Sequence, residues 1–301
     1  MSLHVGLTPW NLVNLDAHSL SAQARKAEQW GYKSFWLPES HFVEAALPDP
    51  LMLLASVAAN TSTIKLATTS YLLPLRHPLL AAEQVAVLDQ LSQGRVLLGI
   101  GRGFQAETFT AFDVDRSQKR ALLAESLKVM RRAWAGKPII EGEEEIVLSP
   151  LPVQKPHPPI WVAAFGPKAL SQVAGLGLPY LASPIETLDT LRSNYNLWRE
   201  KLAGEVADIP IMRSVFVSRE KSVVNNVRTL LQNLALPRQA DNTPLDDWAI
   251  VGEPEFVKDK TVEYQETLGV SHMVVSRLRI AGVPEAELQN SMALAVEVIA
   301  T

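Results

Sequence analysis

The sequence predicts an α/β fold, a single (β/α)8 TIM barrel occupying residues 1–301 with insertions in its strand–helix loops. Three observations predict it. Short β-rich runs alternate with longer helix-patterned segments, which implies a parallel sheet. Eight such strand–helix units fit within 301 residues, and a closed barrel of this kind takes roughly 250 residues before insertions. A doubly wound sheet would place a glycine-rich phosphate loop after its first strand, whereas "LTPWNLVNLD" holds no glycine cluster.

The first strand is expected over His4–Thr8. A helix follows from about Asp16 to Trp30, capped by Asp16 or Ser19 and stopped by Gly31. Strand two is Ser34–Leu37 and its helix Pro50–Asn60. Strand three is Ile64–Tyr71, rich in threonine, and its helix His77–Ser92 ends at Gly94. The apolar run Val96–Ile100 reads as a buried strand four, followed by a helix over Ser117–Trp134. The proline-dense stretch "KPIIEGEEEIVLSPLPVQKPHPP" is a connection with a small extra strand at Ile146–Leu148. Strand five (Ile160–Ala164) leads into a short helix (Pro167–Gly175), and strand six (Leu178–Ala182) into the helix Thr187–Leu202. Strand seven is Ile211–Val217, with residues 219–235 helical, and "PRQADNTPLDD" is loop-like. A further helix (Glu253–Leu268), strand eight (His272–Val275) and a last helix (Pro284–Ile299) complete the count.

Composition narrows the function. Aliphatic and aromatic residues make up 47% of the chain, enough for a large core, and the net charge is −4 with no basic block, which argues against a nucleic-acid partner. There is no cysteine, hence no disulfide and no thiolate metal site. No apolar run reaches the ~20 residues of a membrane helix, and "MSLHVGLTPW" does not read as a signal peptide. A cytoplasmic protein is expected. The six histidines show no metal-ligand spacing, so no metal is expected.

In a (β/α)8 barrel the chemistry gathers at the C-terminal ends of the strands, and polar or aromatic residues recur there. Strand two ends in "PESHF": His41 suits proton transfer near neutral pH, and Glu39 either orients it or pairs with a nearby Arg or Lys to hold a loop. Strand four ends in "GIGRGF". Arg102 offers a planar fork suited to phosphate between Gly101 and Gly103, which permit close approach of a ligand; a salt bridge to Glu107 or Asp113 is the plainer alternative. After strand five, "AAFGPKAL" starts a helix at Pro167 with Lys168 beside it, either a phosphate-binding N-terminus or an ordinary helix start. Trp10, Phe35, Trp36, Phe42, Phe104 and Phe165 suit a planar ring ligand and suit a core equally well.

The stretch "TTSYLLPLRHPLLAAEQVAVLDQLSQGRVLLGIGRGFQAETF" resembles the bacterial luciferase-like flavin-dependent monooxygenases in its leucine-proline-x-x-His-Pro turn, its Leu-Asp-x-Leu-Ser-x-Gly-Arg helix end and its Gly-x-x-Arg-Gly turn. "IVGEPEFVKDKTVEYQETLGVSHMVV" is similar to the family's closing helix and strand. The resemblance implies the same barrel and a two-component monooxygenase acting with reduced FMN and O2 on a small organic substrate, the reduced flavin arriving from a separate reductase. It implies that Arg102 contacts the FMN phosphate, together with the turn of Phe165, Gly166, Pro167, Lys168 and Ala169. It implies a non-prolyl cis bond at Thr69–Ser70 beneath the flavin ring. It gives His41, with Glu39 and Ser40, the catalytic position, where His41 stabilises or protonates an oxygen adduct of the flavin, and assigns Trp10, Phe42 and Phe104 to the substrate pocket. A homodimer is implied as well. The sequence departs from luciferase in one respect: Ser40 stands where luciferase has its catalytic histidine, and only the second histidine is kept. Relatives using the deazaflavin F420 often end strand two with acid-His-Phe, so an F420-dependent hydride-transfer enzyme is the alternative, and a flavin-binding barrel without turnover is the third reading.

Overall fold

A computed structural model describes residues 3–12, 17–140, 145–206, 208–234, 243–278 and 280–300. From the N-terminus the elements are β1 (His4–Leu7), α1 (Ala17–Trp30), β2 (Ser34–Leu37), α2 (Pro50–Asn60), β3 (Lys65–Thr68), β4 (Tyr71–Leu72), α3 (Pro78–Leu91), β5 (Val96–Gly101), α4 (Ala106–Ala111) and α5 (Lys119–Trp134). They continue with β6 (Ile160–Ala163), α6 (Pro167–Gly175), β7 (Tyr180–Leu181), α7 (Leu188–Lys201), β8 (Pro210–Val217), α8 (Lys221–Gln232), β9 (Ala249–Gly252), α9 (Pro254–Leu268), β10 (His272–Ser276) and α10 (Glu285–Ile299).

The elements begin and end where local chemistry requires. Asp49 caps α2, accepting the Met52 N–H at 3.0 Å, and Pro50 occupies the first turn, where its missing N–H costs nothing. His77 caps α3 by accepting the Leu79 N–H at 3.3 Å, ahead of Pro78. Thr187 accepts the Thr190 N–H to open α7. Asp115 accepts from both the N–H and the hydroxyl of Ser117, and a 3-10 turn over Arg116–Gln118 precedes α5.

The chain forms two compact units. One comprises Met1–Leu12, Arg25–Phe35 and Ala164–Thr301. Within it parallel strands run in the order β2, β1, β10, β8, β9, with Leu7 opposite Phe35 and also Val275, and Val275 opposite Arg213. Phe216, Val227, Leu231, Trp248 and Val251 form a buried cluster there. The other unit comprises Val13–Ala24 and Trp36–Ala163. In it β3 and β6 flank β5, and β4 also pairs with β5, all parallel. Trp36 stacks on Trp161 beneath these strands at 5.2 Å between ring centroids.

Several expectations need correction. Strand three is not continuous over Ile64–Tyr71: it divides into β3 and β4 at Thr69–Ser70, a bond that is cis. The extra strand at Ile146–Leu148 reduces to one antiparallel bridge between Ile140 and Ile146. Ser19 lies inside α1 rather than at its cap, and Asp16 is outside the described residues, as are residues 235–242 of the expected helix end and loop. Two elements were not expected. The helix α4 is short and polar, and β9 arises from "AIVG" because its apolar residues bury against β8.

The strand β5 is buried along its whole length. A Cβ built on Gly99 falls 1.9 Å from the Thr68 carbonyl oxygen, while the Thr68 hydroxyl donates to the Gly99 carbonyl at 2.8 Å. Only glycine lets β3 and β5 meet this way. Gly175, at the end of α6, has an ordinary φ and open space around it. Gly99→Ala is therefore expected to lower the unfolding free energy by about 3 kcal/mol or more in urea titration. Gly175→Ala is expected to raise it by roughly 0.5–1 kcal/mol.

Candidate functional site

The unit built around β5 brings together the residues at the ends of β2, β4 and β5. The side chain of Glu39, just past β2, has no solvent exposure. Its Oε1 accepts from Arg76 Nη1 at 2.8 Å and meets His41 Nε2 at 2.7 Å; its Oε2 accepts the Leu72 N–H at 2.8 Å. Both of the alternatives open for Glu39 are thus realised: it orients His41 and it pairs with an arginine. Arg76 lies in the "LPLRHP" turn, and its guanidinium sits 4.1 Å above the Tyr71 ring. Burial pushes the Tyr71 hydroxyl well above its ordinary range, the cation opposing part of that rise.

His41 is 6% exposed and has aromatic neighbours, Phe42 at 5.8 Å and Phe112 edge-on at 5.0 Å between centroids. Phe42 is 70% exposed and has φ +56°. A bulky residue in the left-handed region is an outlier that needs enforcement by its surroundings. Phe104 and Phe112 are exposed too, so three phenyl rings stand in water in this region. Ser40 is committed to its own loop: its Oγ accepts the Leu47 N–H and its N–H donates to the Leu47 carbonyl, each at 3.0 Å.

Thr69 and Ser70 form the cis bond, and the Thr69 N–H donates to the Leu37 carbonyl at 2.8 Å. A Cβ on Gly101 would fall 2.3 Å from Ser70 Oγ, and one on Gly103 3.1 Å from the Phe109 ring. These glycines make room for the protein's own Ser70 and Phe109.

Arg102 is half-buried at the end of β5, and neither Glu107 nor Asp113 pairs with it; no described residue accepts a hydrogen bond from it. Burial, and then the like charge of Arg120, push its guanidinium below the ordinary arginine value. Lys119, beside Arg120, donates to the Gly103 carbonyl at 3.3 Å. A desolvated cation facing another cation is a place for an anion. Arg76, Phe112 and Arg120 escaped the sequence reading. The "LPLRHP" motif signalled the first, but nothing in the spacing of the other two placed them near the ends of these strands.

The second unit holds the remaining expected residues. Trp10 is buried with its ring 5.4 Å from Trp30, so there it packs as core. Gly166 has φ +76° and opens α6 ahead of Pro167. Pro167 has no N–H and the Ala169 N–H goes to the Gly166 carbonyl at 3.1 Å, so this helix start offers fewer free donors than the sequence suggests. Phe165 is partly exposed and Lys168 exposed. The same unit carries a fully buried arginine, Arg213, whose Nη1 donates to the carbonyls of Ser183 and Met212 and whose guanidinium lies 4.8 Å from the Tyr264 ring. Near it the Glu186 carboxylate accepts from Tyr180, Asn194 and the Ser183 N–H, and burial raises its pKa. This cluster ties down the loop that follows β7.

A family model for luciferase-like monooxygenases matches residues 3–271, and the chain belongs to that family. It is 26% identical over 277 residues to the oxygenase component of a flavin-dependent trigonelline monooxygenase of Acinetobacter baylyi, an alignment covering 84% of this chain and 76% of the relative. Across the curated relatives it matches, the chain spans from about half to three quarters of their length. Among solved structures it is similar to the oxygenating constituent of 3,6-diketocamphane monooxygenase of Pseudomonas putida in complex with FMN, with TM-score 0.81, 21% identity and coverage of 99% and 98%. It is also similar to the coenzyme F420-dependent tetrahydromethanopterin reductase of Methanopyrus kandleri, with TM-score 0.71, 18% identity and the same coverage. These likenesses show the fold, an α/β barrel of the luciferase-like type. Among the described residues no helix is long and apolar enough to cross a membrane, and no group of histidines and carboxylates is arranged to hold a metal.

The strained, solvent-facing Phe42 yields a prediction. Phe42→Gly is expected to leave stability unchanged or raise it by up to about 1 kcal/mol, since relief of the left-handed backbone offsets the small apolar area that the ring buries. Urea titration of the variant checks it; a destabilisation beyond about 2 kcal/mol in that titration would mean that the ring is a structural plug.

Proposed function

We propose that this protein is the oxygenase of a two-component flavin-dependent monooxygenase, using reduced FMN and O2 on a small organic substrate, with the whole chain acting as one barrel domain in the cytoplasm. The observation that carries this reading is Arg102: a half-buried guanidinium that takes no acceptor from the described residues and has Arg120 as its charged neighbour. That donor set suits a phosphate dianion. Arg102, with Arg120, would hold the phosphate end of the cofactor, and Thr69 and Ser70 are assigned to its ring on the resemblance. The turn of Phe165, Gly166, Pro167, Lys168 and Ala169 enters the proposal on the resemblance alone, as does Trp10 as a pocket residue.

Reduced FMN, when bound, supplies the electrons that activate O2. The chain's own part is to bind, to exclude water and to handle protons. Phe42, Phe104 and Phe112 are the apolar surfaces that keep water from a bound ligand, and His41, backed by the buried Glu39, is the proton-handling side chain. The relative described as an oxygenase component supports a partner reductase. The F420 alternative has one observation in its favour, the Glu39-Ser40-His41-Phe42 ending of β2, together with the likeness to an F420-dependent reductase.

Arg102→Ala is expected to weaken FMN binding by roughly 10–100-fold, the worth of a charge-assisted hydrogen bond, while riboflavin, lacking the phosphate, loses little. Fluorescence titration with FMN, riboflavin and F420 decides: equal losses for FMN and riboflavin remove the phosphate role, and tight binding of F420 alone selects the alternative. Oxygen uptake with reduced FMN, screened over candidate organic substrates, then tests the monooxygenase reading. The proposed homodimer is assigned to the face of α2 and α3 on which Met52, Leu80, Val87 and Leu91 are exposed, three of them, Met52, Val87 and Leu91, lining one groove, since clustered exposed apolar groups mark interfaces. Met52→Glu with Leu91→Glu is expected to halve the mass seen by light scattering; a native protein that is already monomeric removes the assignment.

A further inference from the structure

We propose that Arg76 is a positioning residue: by holding Glu39 as an ionised, acceptor-only carboxylate it fixes His41 with a proton on Nε2 and a bare lone pair on Nδ1, so that the site presents a proton acceptor to its ligand. The inference rests on the reading of His41 as the proton-handling group, and deepens it by giving the direction in which the proton moves.

The argument starts from what surrounds Glu39. The carboxylate has no solvent exposure, and two of its three partners are donors under any conditions, a guanidinium at 2.8 Å and a backbone N–H at 2.8 Å. Each carboxyl oxygen thus already faces an obligate donor, the arrangement of a carboxylate rather than of a carboxylic acid. An ionised carboxylate can only accept. His41 Nε2, 2.7 Å from Oε1, must therefore carry a hydrogen whether the ring is neutral or charged. When the ring is neutral its other nitrogen is a lone pair, and no described residue donates to Nδ1.

Arg76 is not a loose surface charge. Its Nη1 also donates to the Leu72 carbonyl at 3.0 Å, its Nη2 to the Pro48 carbonyl at 3.4 Å, and the guanidinium packs over Tyr71. It shares Oε1 with His41, so the two cations in prospect, guanidinium and imidazolium, would compete for one oxygen. Arg76 and Glu39 together are neutral. A second proton on His41 would leave the cluster with net positive charge at a place where Phe42 and Phe112 supply no counterion. Of the other charges on this loop, Glu44 is exposed and Asp49, which acts on Tyr71, is engaged in capping α2. A ligand that meets Nδ1 is met by an acceptor and must bring the donor, an N–H or O–H of the cofactor or substrate. On this proposal His41 first takes a proton, which it can then return to an intermediate.

The test needs no cofactor. Protein labelled with 15N-histidine is studied by long-range 1H–15N correlation at about pH 8, above the ordinary imidazole range. The expected spectrum of the unaltered protein shows His41 protonated at Nε2 and bare at Nδ1. In R76M the uncompensated carboxylate is expected to draw a second proton onto the ring at about tenfold lower proton concentration than in the unaltered protein. R76K, which restores the charge, is expected to reverse most of that change. In E39Q, whose amide can present either oxygen or nitrogen, both tautomers are expected. A proton on Nδ1 with bare Nε2 in the unaltered protein overturns the proposal. So does an R76M titration that coincides with that of the unaltered protein, or, should R76M not fold, a single Nε2–H tautomer in E39Q. Failure of FMN to bind would sink the functional reading and leave these spectra untouched, so the two failures are separable.

Discussion

A carboxylate without solvent contact governs one end of this molecule. Glu39 follows directly on β2, and its charge must be compensated within reach, because an isolated buried anion costs several kcal/mol even after relaxation. The compensation comes from three places in the chain: His41 two residues on, Arg76 in the turn before α3, and the backbone N–H of Leu72 in β4. The last of these carries the constraint further. Leu72 lies opposite Gly101 in the ladder between β4 and β5, and Ser70 fills the space a side chain at Gly101 would need. Glu39 therefore fixes β4, β4 fixes the end of β5, and the end of β5 carries Arg102. One buried charge sets the relation between His41 and the proposed anion site.

The two arginines that bracket β5 show how the same residue type serves opposite purposes. Arg95, before the strand, donates to the Ser92, Ile64, Ala58 and Thr61 carbonyls and to the Thr61 hydroxyl, tying the end of α2 to the start of β5. Its fork is saturated, and nothing is left for a ligand. Arg102, past the strand, has no acceptor among the described residues and a like charge for a neighbour. Electrostatically the first end is closed and the second open. Asp89, in the same Leu-Asp-x-Leu-Ser-x-Gly-Arg stretch, is fully buried and clamps Gln154 through both carboxylate oxygens. The motif that carries the family resemblance is thus largely a set of internal fastenings, and the residues available for chemistry follow it.

That distinction explains what the sequence made legible. Helices with proline starts and polar caps, such as α2 and α3, could be bounded from local chemistry alone, because the determinants lie within four residues of the ends. The strand β5 could be read as buried because every residue from Val96 to Gly101 is small or apolar. The split between β3 and β4 could not be read from propensity, since Thr69 and Ser70 are ordinary strand residues and the interruption is a backbone conformation. The strand β9 is only four residues long and owes its existence to a neighbour in β8, not to any periodicity. Within the site, Glu39 and His41 were legible because they lie two residues apart in the chain. Arg76 and Arg120 were not, because their roles depend on partners 37 and 18 residues away, and only tertiary structure brings such pairs together.

The replacement of a luciferase histidine by Ser40 acquires a physical meaning from this geometry. Ser40 exchanges two hydrogen bonds with the backbone of Leu47 and so closes the loop that holds Phe42 and Ala45 in left-handed conformations. A hydroxyl used in this way holds the loop in place and is not poised as a base. On the proposed reading the proton chemistry at this strand end falls to His41, whose Nε2 meets Glu39 and whose Nδ1 is the remaining edge. A site with one histidine in one tautomer can begin a reaction by accepting a proton and finish by returning it. It has no second imidazole to do both at once. On the proposed reading, a group that presents an acidic N–H or O–H to His41 is the one this edge suits.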